Sequence, residues 1–209
     1  ILAARGRAAV KERYNLANKL KIIPLGGVGE IGKNITAIEY GKDLVLIDCG
    51  LIFPDEEQLG IDLVIPDMTY LERNSDRIRG ILVTHGHEDH IGAIPFALKL
   101  FDVPVYGTKL TLGLIKHKLD EHNIKNAQLN CVEAGDTVKL GCFKVEFIKT
   151  SHSIAGAVAI ALTSPIGTII HTGDFKLDYT PIDGQNMDLG RLAELGNKGV
   201  LALLSDSTN

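Results

Sequence analysis

The stretch GILVTHGHEDHIGAIP, from Gly80 to Pro95, decides the fold. Its first part, GILVTH, is apolar and β-branched, which predicts a buried strand. Its last part, continued by FALKLF, places Ile91, Ile94 and Leu98 at helical spacing. Pro95 lies near the start of this helix, where proline is tolerated. Between strand and helix stands HGHEDH, which holds three imidazoles and two carboxylates.

Further strands are predicted on both sides of this junction. Three successive strands precede it, in KIIPL, NITAIEY and DLVLIDC. Strands follow it in VPVYG, FKVEFIKT, AVAIALTS, GTIIHTG and GVLALLSD, the last of which we expect to be buried. An amphipathic helix is predicted in TKLTLGLIKHKLDEHNI. Strands with interspersed helices indicate an α/β sandwich, with the sheets inside and the helices outside.

The composition favours a cytoplasmic protein. The 209 residues are 45% hydrophobic and 23% charged, which is ordinary for a globular domain. No uninterrupted apolar run is long enough for a membrane span, and the N-terminus lacks the layout of a signal peptide. The three cysteines form no CxxC motif and do not indicate a disulfide framework. We therefore expect the reducing cytoplasm and no membrane contact.

The charge distribution sets the N-terminal residues apart. A formal net charge of −4 excludes an overall basic field of the kind that nucleic-acid binders carry. Residues 1–20 are nevertheless basic, with Glu12 as their one acidic side chain. We interpret residues 1–20 as a basic arm, disordered or helical, with phosphate binding as the less favoured alternative.

The segment GGVGEIGKN contains a formal GxGxxG pattern at Gly27, Gly29 and Gly32. A dinucleotide-binding loop requires a helix to begin at the third glycine, because the helix N-terminus holds the pyrophosphate. Residues 34–40 alternate like a strand instead. The pattern therefore predicts a glycine-rich hairpin turn.

Candidate metal ligands follow the strand GILVTH. His85 and His87 are two residues apart, and side chains at i and i+2 of an extended segment project to the same side. Asp89 and His90 follow where the chain turns into the helix, and they point toward a second position nearby. Neutral imidazole and carboxylate suit zinc and comparable divalent ions. HxHxDH at a strand end therefore predicts metal binding rather than a solvated loop.

Other candidates also lie at predicted strand ends, where ligands from different strands converge on one rim. His152 follows FKVEFIKT, and Asp174 follows TIIHT with a carboxylate able to bridge two ions. For Asp48, which ends DLVLID, two interpretations stay open: it orients a ligand or its loop from behind, or it forms the turn before Gly50.

The remaining candidate histidines are expected outside the ligand set. His171 lies within the strand that precedes Asp174, so we predict a packed or supporting histidine. His117 and His122 lie on a charged helix face, where solvent exposure is the expected outcome.

Taken together, these motifs resemble the metallo-β-lactamase superfamily, whose HxHxDH signature stands here as HGHEDH. IIPLGGVGEIGKN, LVTHGHEDHIGAIP, TSHSI, HTGDFKLDYTPID and LLSDSTN resemble, in particular, the ribonuclease J family of the β-CASP branch. The resemblance implies an α/β fold, the αββα metallo-β-lactamase sandwich, incomplete in this chain. Residues 21–209 would be the N-terminal part of that domain, without the β-CASP insertion and the C-terminal parts. The chain also stops at a predicted core strand, so we expect it to be part of a longer protein.

The resemblance also implies two divalent ions, zinc or alternatively manganese. By position, His85, His87, His152 and Asp174 hold one ion, and Asp89, His90 and the bridging Asp174 hold the other. Family members complete the second position with a histidine from beyond the insertion, for which this chain has no candidate. Asp89 is assigned an additional catalytic role in handling a proton.

The implied function is a metal-dependent ribonuclease that hydrolyses RNA by a hydroxide activated between two metals. It implies 5′–3′ exonuclease and endonuclease action in RNA decay and maturation, and a homo-oligomer in the full-length protein, together with other RNA-decay enzymes. One alternative is a small-molecule metallo-hydrolase of the same fold, acting on a thioester, lactone or β-lactam. Another is a non-catalytic RNA-binding or scaffold subunit.

Overall fold

Two β-sheets form the centre of the computed structural model, which describes residues 19–182 and 184–207. The first sheet contains, in spatial order, Leu20–Gly26 (β1), Ile35–Tyr40 (β2), Asp43–Ile47 (β3), Ile78–Leu82 (β4), Val105–Gly107 (β5) and Leu129–Cys131 (β6). Strands β1 to β3 are antiparallel, with a longer loop between β1 and β2 and a two-residue turn between β2 and β3, and β3 to β6 are parallel. Residues 1–18 of the predicted basic arm lie outside the described residues.

The second sheet has the order β11-β10-β9-β8-β7. Its strands are Thr137–Leu140 (β7), Phe143–Lys149 (β8), Val158–Ser164 (β9), Gly167–His171 (β10) and Ala202–Leu204 (β11). The helices are Thr69–Glu72 (α1), Glu88–Ile91 (α2), Ile94–Leu100 (α3), Lys109–Glu121 (α4) and Leu189–Lys198 (α5), with a 3₁₀ turn at Ser75–Arg77. Within the described ranges, no helix combines the length and the apolar character that crossing a membrane requires.

Side-chain alternation along the strands builds three apolar layers. On β3, Val45 and Ile47 face the second sheet and pack in one cluster with Phe147 of β8. The intervening Leu46 faces the opposite way and packs in the cluster that contains Ile115 of α4. Helix α5 covers the outer face of the second sheet. This arrangement confirms the predicted αββα sandwich.

The expectation of a buried final strand holds only in part: Ala202 and Leu204 pack partly buried against the layer between the sheets, but the residues that alternate with them are exposed. Leu201 is 52% exposed and Leu203 is 60% exposed. Strand β11 pairs with β10 on one side only, and it is the last strand of its sheet in the described part of the chain.

The strand predicted in GILVTH ends earlier than expected, at Leu82. His85 and His87 therefore lie on the loop that follows this strand.

Candidate metal centre

The candidate ligands converge on one rim of the sandwich because each follows the end of a strand. His85 and His87 follow β4, and Asp89 and His90 begin the short helix α2. The second sheet contributes two further residues from the loops after β8 and β10, which are His152 and Asp174. The structure thus brings together all six residues that the sequence predicts as metal ligands.

Three imidazoles and one carboxylate oxygen form the first group. His87 Nδ1 lies 3.0 Å from His85 Nε2 and 3.2 Å from His152 Nε2. Asp174 Oδ2 lies 3.7 Å from His152 Nε2 and 4.0 Å from His85 Nε2. The three imidazole nitrogens are all within 4.8 Å of one another, a spacing that permits all of them to contact one ion.

The second group surrounds His90. Its Nε2 lies 3.3 Å from Asp174 Oδ1 and 3.5 Å from Asp89 Oδ2. Asp174 therefore presents its two carboxylate oxygens to different groups: Oδ2 faces His85 and His152, and Oδ1 faces His90. One carboxylate so placed is able to bridge two neighbouring cations.

The protonation states suit cation binding. Burial, together with the charge of His90, lowers the pKa of His85, so its imidazole is neutral and keeps a lone pair. Burial likewise lowers the pKa of His152. For Asp174 burial acts in the raising direction, but the hydrogen bond and charge of His90 outweigh it and hold the pKa at about 2. Neutral imidazoles at His85 and His152 with an ionised Asp174 carboxylate fit a divalent ion, and His90 would release its proton when it binds one.

Asp48 supports His90 from behind. Its Oδ2 lies 2.8 Å from His90 Nδ1, and it accepts hydrogen bonds from the Thr84 backbone N–H and hydroxyl, both at 2.8 Å. Burial opposes the charge on His90, yet the Asp48 carboxylate and the hydrogen bond to Asp174 raise the pKa of His90 to about 10. Asp48 has a φ of 59°, but no turn is formed at residues 48–50, so of the two interpretations the geometry favours the contact with a candidate ligand.

His171 and His117 lie where the sequence places them, whereas His122, expected to be exposed, is only partly exposed. His171 is half-buried beside the centre, desolvation lowers its pKa, and its Nδ1 accepts a hydrogen bond from the Gly173 N–H at 3.1 Å. The His117 side chain is 76% exposed on α4. His122, at the end of α4, packs against the Phe96 ring.

Two residues of the centre were missed by sequence reasoning. Thr84 holds Asp48, and its only signal was a polar residue in an otherwise apolar run. Asn34 places its side-chain nitrogen 3.1 Å from Asp89 Oδ2 and 3.1 Å from His90 Nε2. Because 55 residues separate Asn34 from Asp89, no local pattern in the sequence links them.

A cavity of about 730 Å³ opens beside the centre. The glycine-rich loop Gly26–Gly32 forms one wall, residues 203–207 form another, and Asp89, His90 and Asp174 lie at its base. No helix begins in the glycine-rich loop; it joins antiparallel β1 and β2 instead, as predicted. The loop therefore shapes the approach to the candidate metal centre.

Known proteins of one superfamily are similar to this chain in sequence and in fold. Residues 28–195 match the family model of the metallo-beta-lactamase superfamily. The chain is 51% identical over 193 residues to ribonuclease J of Synechocystis sp. and 49% identical over 201 residues to ribonuclease J of Helicobacter pylori. These alignments cover 91% and 95% of this chain, which spans 30% and 29% of the length of those relatives. The crystal structure of the metallo-beta-lactamase fold protein YhfI from Bacillus subtilis matches with a TM-score of 0.55 at 17% identity, covering 77% of this chain and 64% of that one.

Proposed function

The chain belongs to the metallo-beta-lactamase superfamily, and we propose from this premise that it carries the metal centre of a ribonuclease that hydrolyses RNA phosphodiesters. The observation that carries the proposal is the placement of Asp174, whose Oδ2 faces His85 and His152 while its Oδ1 faces His90. The relatives of about 50% identity are ribonucleases by name, which supports RNA as the substrate.

In this proposal one ion is held by the first group and a second ion by the other. The ligands of the first are His85, His87, His152 and Asp174, and those of the second are Asp89, His90 and Asp174. Imidazole nitrogen and carboxylate oxygen together favour zinc, with manganese as the alternative. When bound, the ions supply Lewis-acid chemistry that polarises the phosphoryl group and makes water a nucleophile at neutral pH.

The chain's own residues position the reactants and move the proton. Asp89, whose side chain is 36% exposed, reaches the cavity and accepts the proton of the attacking water. The water oxygen forms the new bond to phosphorus and the bond to the 3′ oxygen breaks, and that oxygen leaves as a hydroxyl by taking up the proton that Asp89 received. The products carry a 5′ phosphate and a 3′ hydroxyl. Asp48 fixes the ring of His90 through Nδ1 and leaves Nε2 directed at the second position.

The biological setting is proposed on the same basis. The full-length protein acts in the cytoplasm, in RNA decay and in maturation such as ribosomal RNA processing, with 5′–3′ exonuclease and endonuclease activity. It assembles as a homo-oligomer, together with other RNA-decay enzymes.

RNA cleavage by the full-length protein tests the proposal. His87→Ala and Asp174→Ala should each abolish cleavage of an end-labelled RNA while the circular-dichroism spectrum stays unchanged, because the ligands lie at the rim and not in the apolar layers. His117→Ala, on the exposed face of α4, is the matched control and should cleave like the wild type. Unchanged cleavage in both ligand variants would contradict the proposal. Hydrolysis of a thioester or lactone in place of RNA would favour a small-molecule hydrolase.

A further inference from the structure

Asn34, two residues after the glycine-rich loop, contacts the proposed second metal position. Asn34 Nδ2 donates to Asp89 Oδ2 at 3.1 Å and to the Asp89 backbone carbonyl at 3.1 Å. Its backbone N–H donates to the same carbonyl at 2.9 Å, and its own carbonyl accepts from the Gly50 N–H at 3.0 Å. Asn34 is thus fixed to the first turn of α2 by its backbone and by its side chain.

The hydrogen-bond partners decide which way the Asn34 amide points. A backbone carbonyl only accepts hydrogen bonds, so the atom facing the Asp89 carbonyl is the amide nitrogen and not the amide oxygen. Its two N–H groups then donate to the carbonyl and to Oδ2 of Asp89, and the same nitrogen lies 3.1 Å from His90 Nε2. The consequence is that Asp89 Oδ2 is held on the side of His90 Nε2, 3.5 Å away.

Gly27 provides the space for the other end of the Asn34 amide. A Cβ atom at Gly27 would lie 2.5 Å from Asn34 Oδ1, closer than real Cβ contacts. Gly27 has a φ of 78°, and Gly29 in the same loop has a φ of 73°, but a Cβ at Gly29 would have no heavy atom within 4 Å. The two glycines share their backbone strain and differ in the contact with Asn34.

We propose that Asn34, seated by Gly27, is a positioning residue that holds the Asp89 carboxylate in place for the second metal ion. The inference rests on the proposed metal centre and extends it to the glycine-rich loop. The first position does not depend on Asn34, because its imidazole nitrogens belong to His85, His87 and His152. Removing the Asn34 amide should therefore weaken ion binding at the second position and not at the first.

The test is a titration of the metal-free full-length protein with Mn²⁺, in which the free ion is followed by electron paramagnetic resonance. Asn34→Ala and Gly27→Ala should bind the first equivalent within about twofold of the wild type. Their affinity for the second equivalent should fall by about tenfold or more, the range seen when a partner of a metal ligand is removed. Gly29→Ala matches the backbone strain of Gly27→Ala. Asn130→Ala removes an asparagine whose side chain donates to the Val105 and Gln128 carbonyls. Both controls should bind two equivalents like the wild type.

The outcomes separate this inference from the function beneath it. Two equivalents of unchanged affinity in Asn34→Ala overturn the role of Asn34 and leave the metal centre intact. If Gly27→Ala and Gly29→Ala lose affinity for the second Mn²⁺ equivalent to the same extent, the role of Gly27 in seating Asn34 is overturned. Backbone strain alone would then explain the loss. A wild-type protein that binds no Mn²⁺ and no Zn²⁺ overturns the metal centre and the inference with it.

Discussion

The buried carboxylate of Asp48 lies 2.8 Å from Nδ1 of the buried His90, and this contact joins the end of strand β3 to the start of the helix region after β4. Since Nδ1 is engaged, Nε2 is the ring nitrogen available to Asp89 and Asp174. Asp48 has a φ of 59°, a conformation that asparagine adopts as readily as aspartate. A substitution to asparagine therefore removes the charge with little effect on the backbone.

Asp48→Asn should lower the affinity of the full-length protein for Zn²⁺ or Mn²⁺ by about 10- to 100-fold, because the partner behind a ligating histidine sets its orientation and basicity. Isothermal titration calorimetry measures this. The control is Asp43→Asn, which removes another buried carboxylate, one that bonds Arg79 and the Cys142 N–H far from the centre. Asp43→Asn should lower stability and leave metal affinity unchanged. Equal metal affinity in Asp48→Asn and the wild type would contradict the supporting role.

The metal-free protein should lose stability as the pH rises toward 10. The pKa of His90 is raised from an ordinary 6.5 to about 10, so its proton stabilises the fold fully below pH 6.5 and is lost as the pH rises through 10. At about 1.4 kcal/mol for each unit of pKa, the expected loss is on the order of a few kcal/mol. Thermal unfolding in the presence of a chelator between pH 6 and 10 measures it. His90→Gln should flatten this dependence and His117→Gln should not; a flat wild-type profile would refute the explanation.

Much of the fold and site was predictable because the decisive signals are local. HGHEDH follows one apolar strand, and His152 and Asp174 each follow another predicted strand. These positions alone identify six candidate ligands at strand ends, without any knowledge of tertiary contacts. The sandwich itself follows from the order of strands and helices. Helix α5 was missed even though signals for it existed. The Asp188 side chain accepts from the Arg191 N–H at its start, and Gly199 has a φ of 86° at its end.

The remaining features were not predictable because they depend on contacts between distant segments. Asn34 meets Asp89 only after β2 and β3 have paired and β4 has joined them. The exposure of Leu203 depends on what covers the outer face of the second sheet, and an apolar run does not carry that information. Local pattern thus identifies ligand candidates, and the fold determines what surrounds them.

Glu39 should be a strong contributor to stability outside the metal centre. Its carboxylate on β2 accepts from Lys21 at 2.8 Å, from Arg77 at 2.9 Å and from the Tyr70 hydroxyl at 2.5 Å. Burial alone would raise its pKa, but these partners hold the pKa at about 2. The stabilisation is therefore present above pH 4.5 and is lost as the pH falls through 2.

Glu39→Gln should lower the free energy of unfolding at pH 7 by about 1–3 kcal/mol, because three donors lose their charged acceptor. Urea unfolding followed by circular dichroism measures the change. Glu72→Gln on α1 is the control and should change stability by less than about 0.5 kcal/mol, as exposed substitutions do. Similar unfolding midpoints for Glu39→Gln and the wild type would show that the partners contribute no net stability.

Phe147 of β8 is fully buried between the two sheets, in the layer that also contains Val45 and Ile47. Phe147→Ala should cost about 3–5 kcal/mol, since it removes a large ring from a layer that strand pairing prevents from collapsing. Leu203→Ala, at a position that is 60% exposed, should cost far less. Although β8 leads into the loop that carries His152, the ligands lie at the rim and not in this layer, so the folded fraction of Phe147→Ala should still bind its first metal equivalent. Urea unfolding and a Mn²⁺ titration at 15 °C separate the two effects. If Phe147→Ala unfolded at the same urea concentration as the wild type but did not bind Mn²⁺, this prediction would be wrong. The layer between the sheets would then position the metal ligands instead of stabilising the fold.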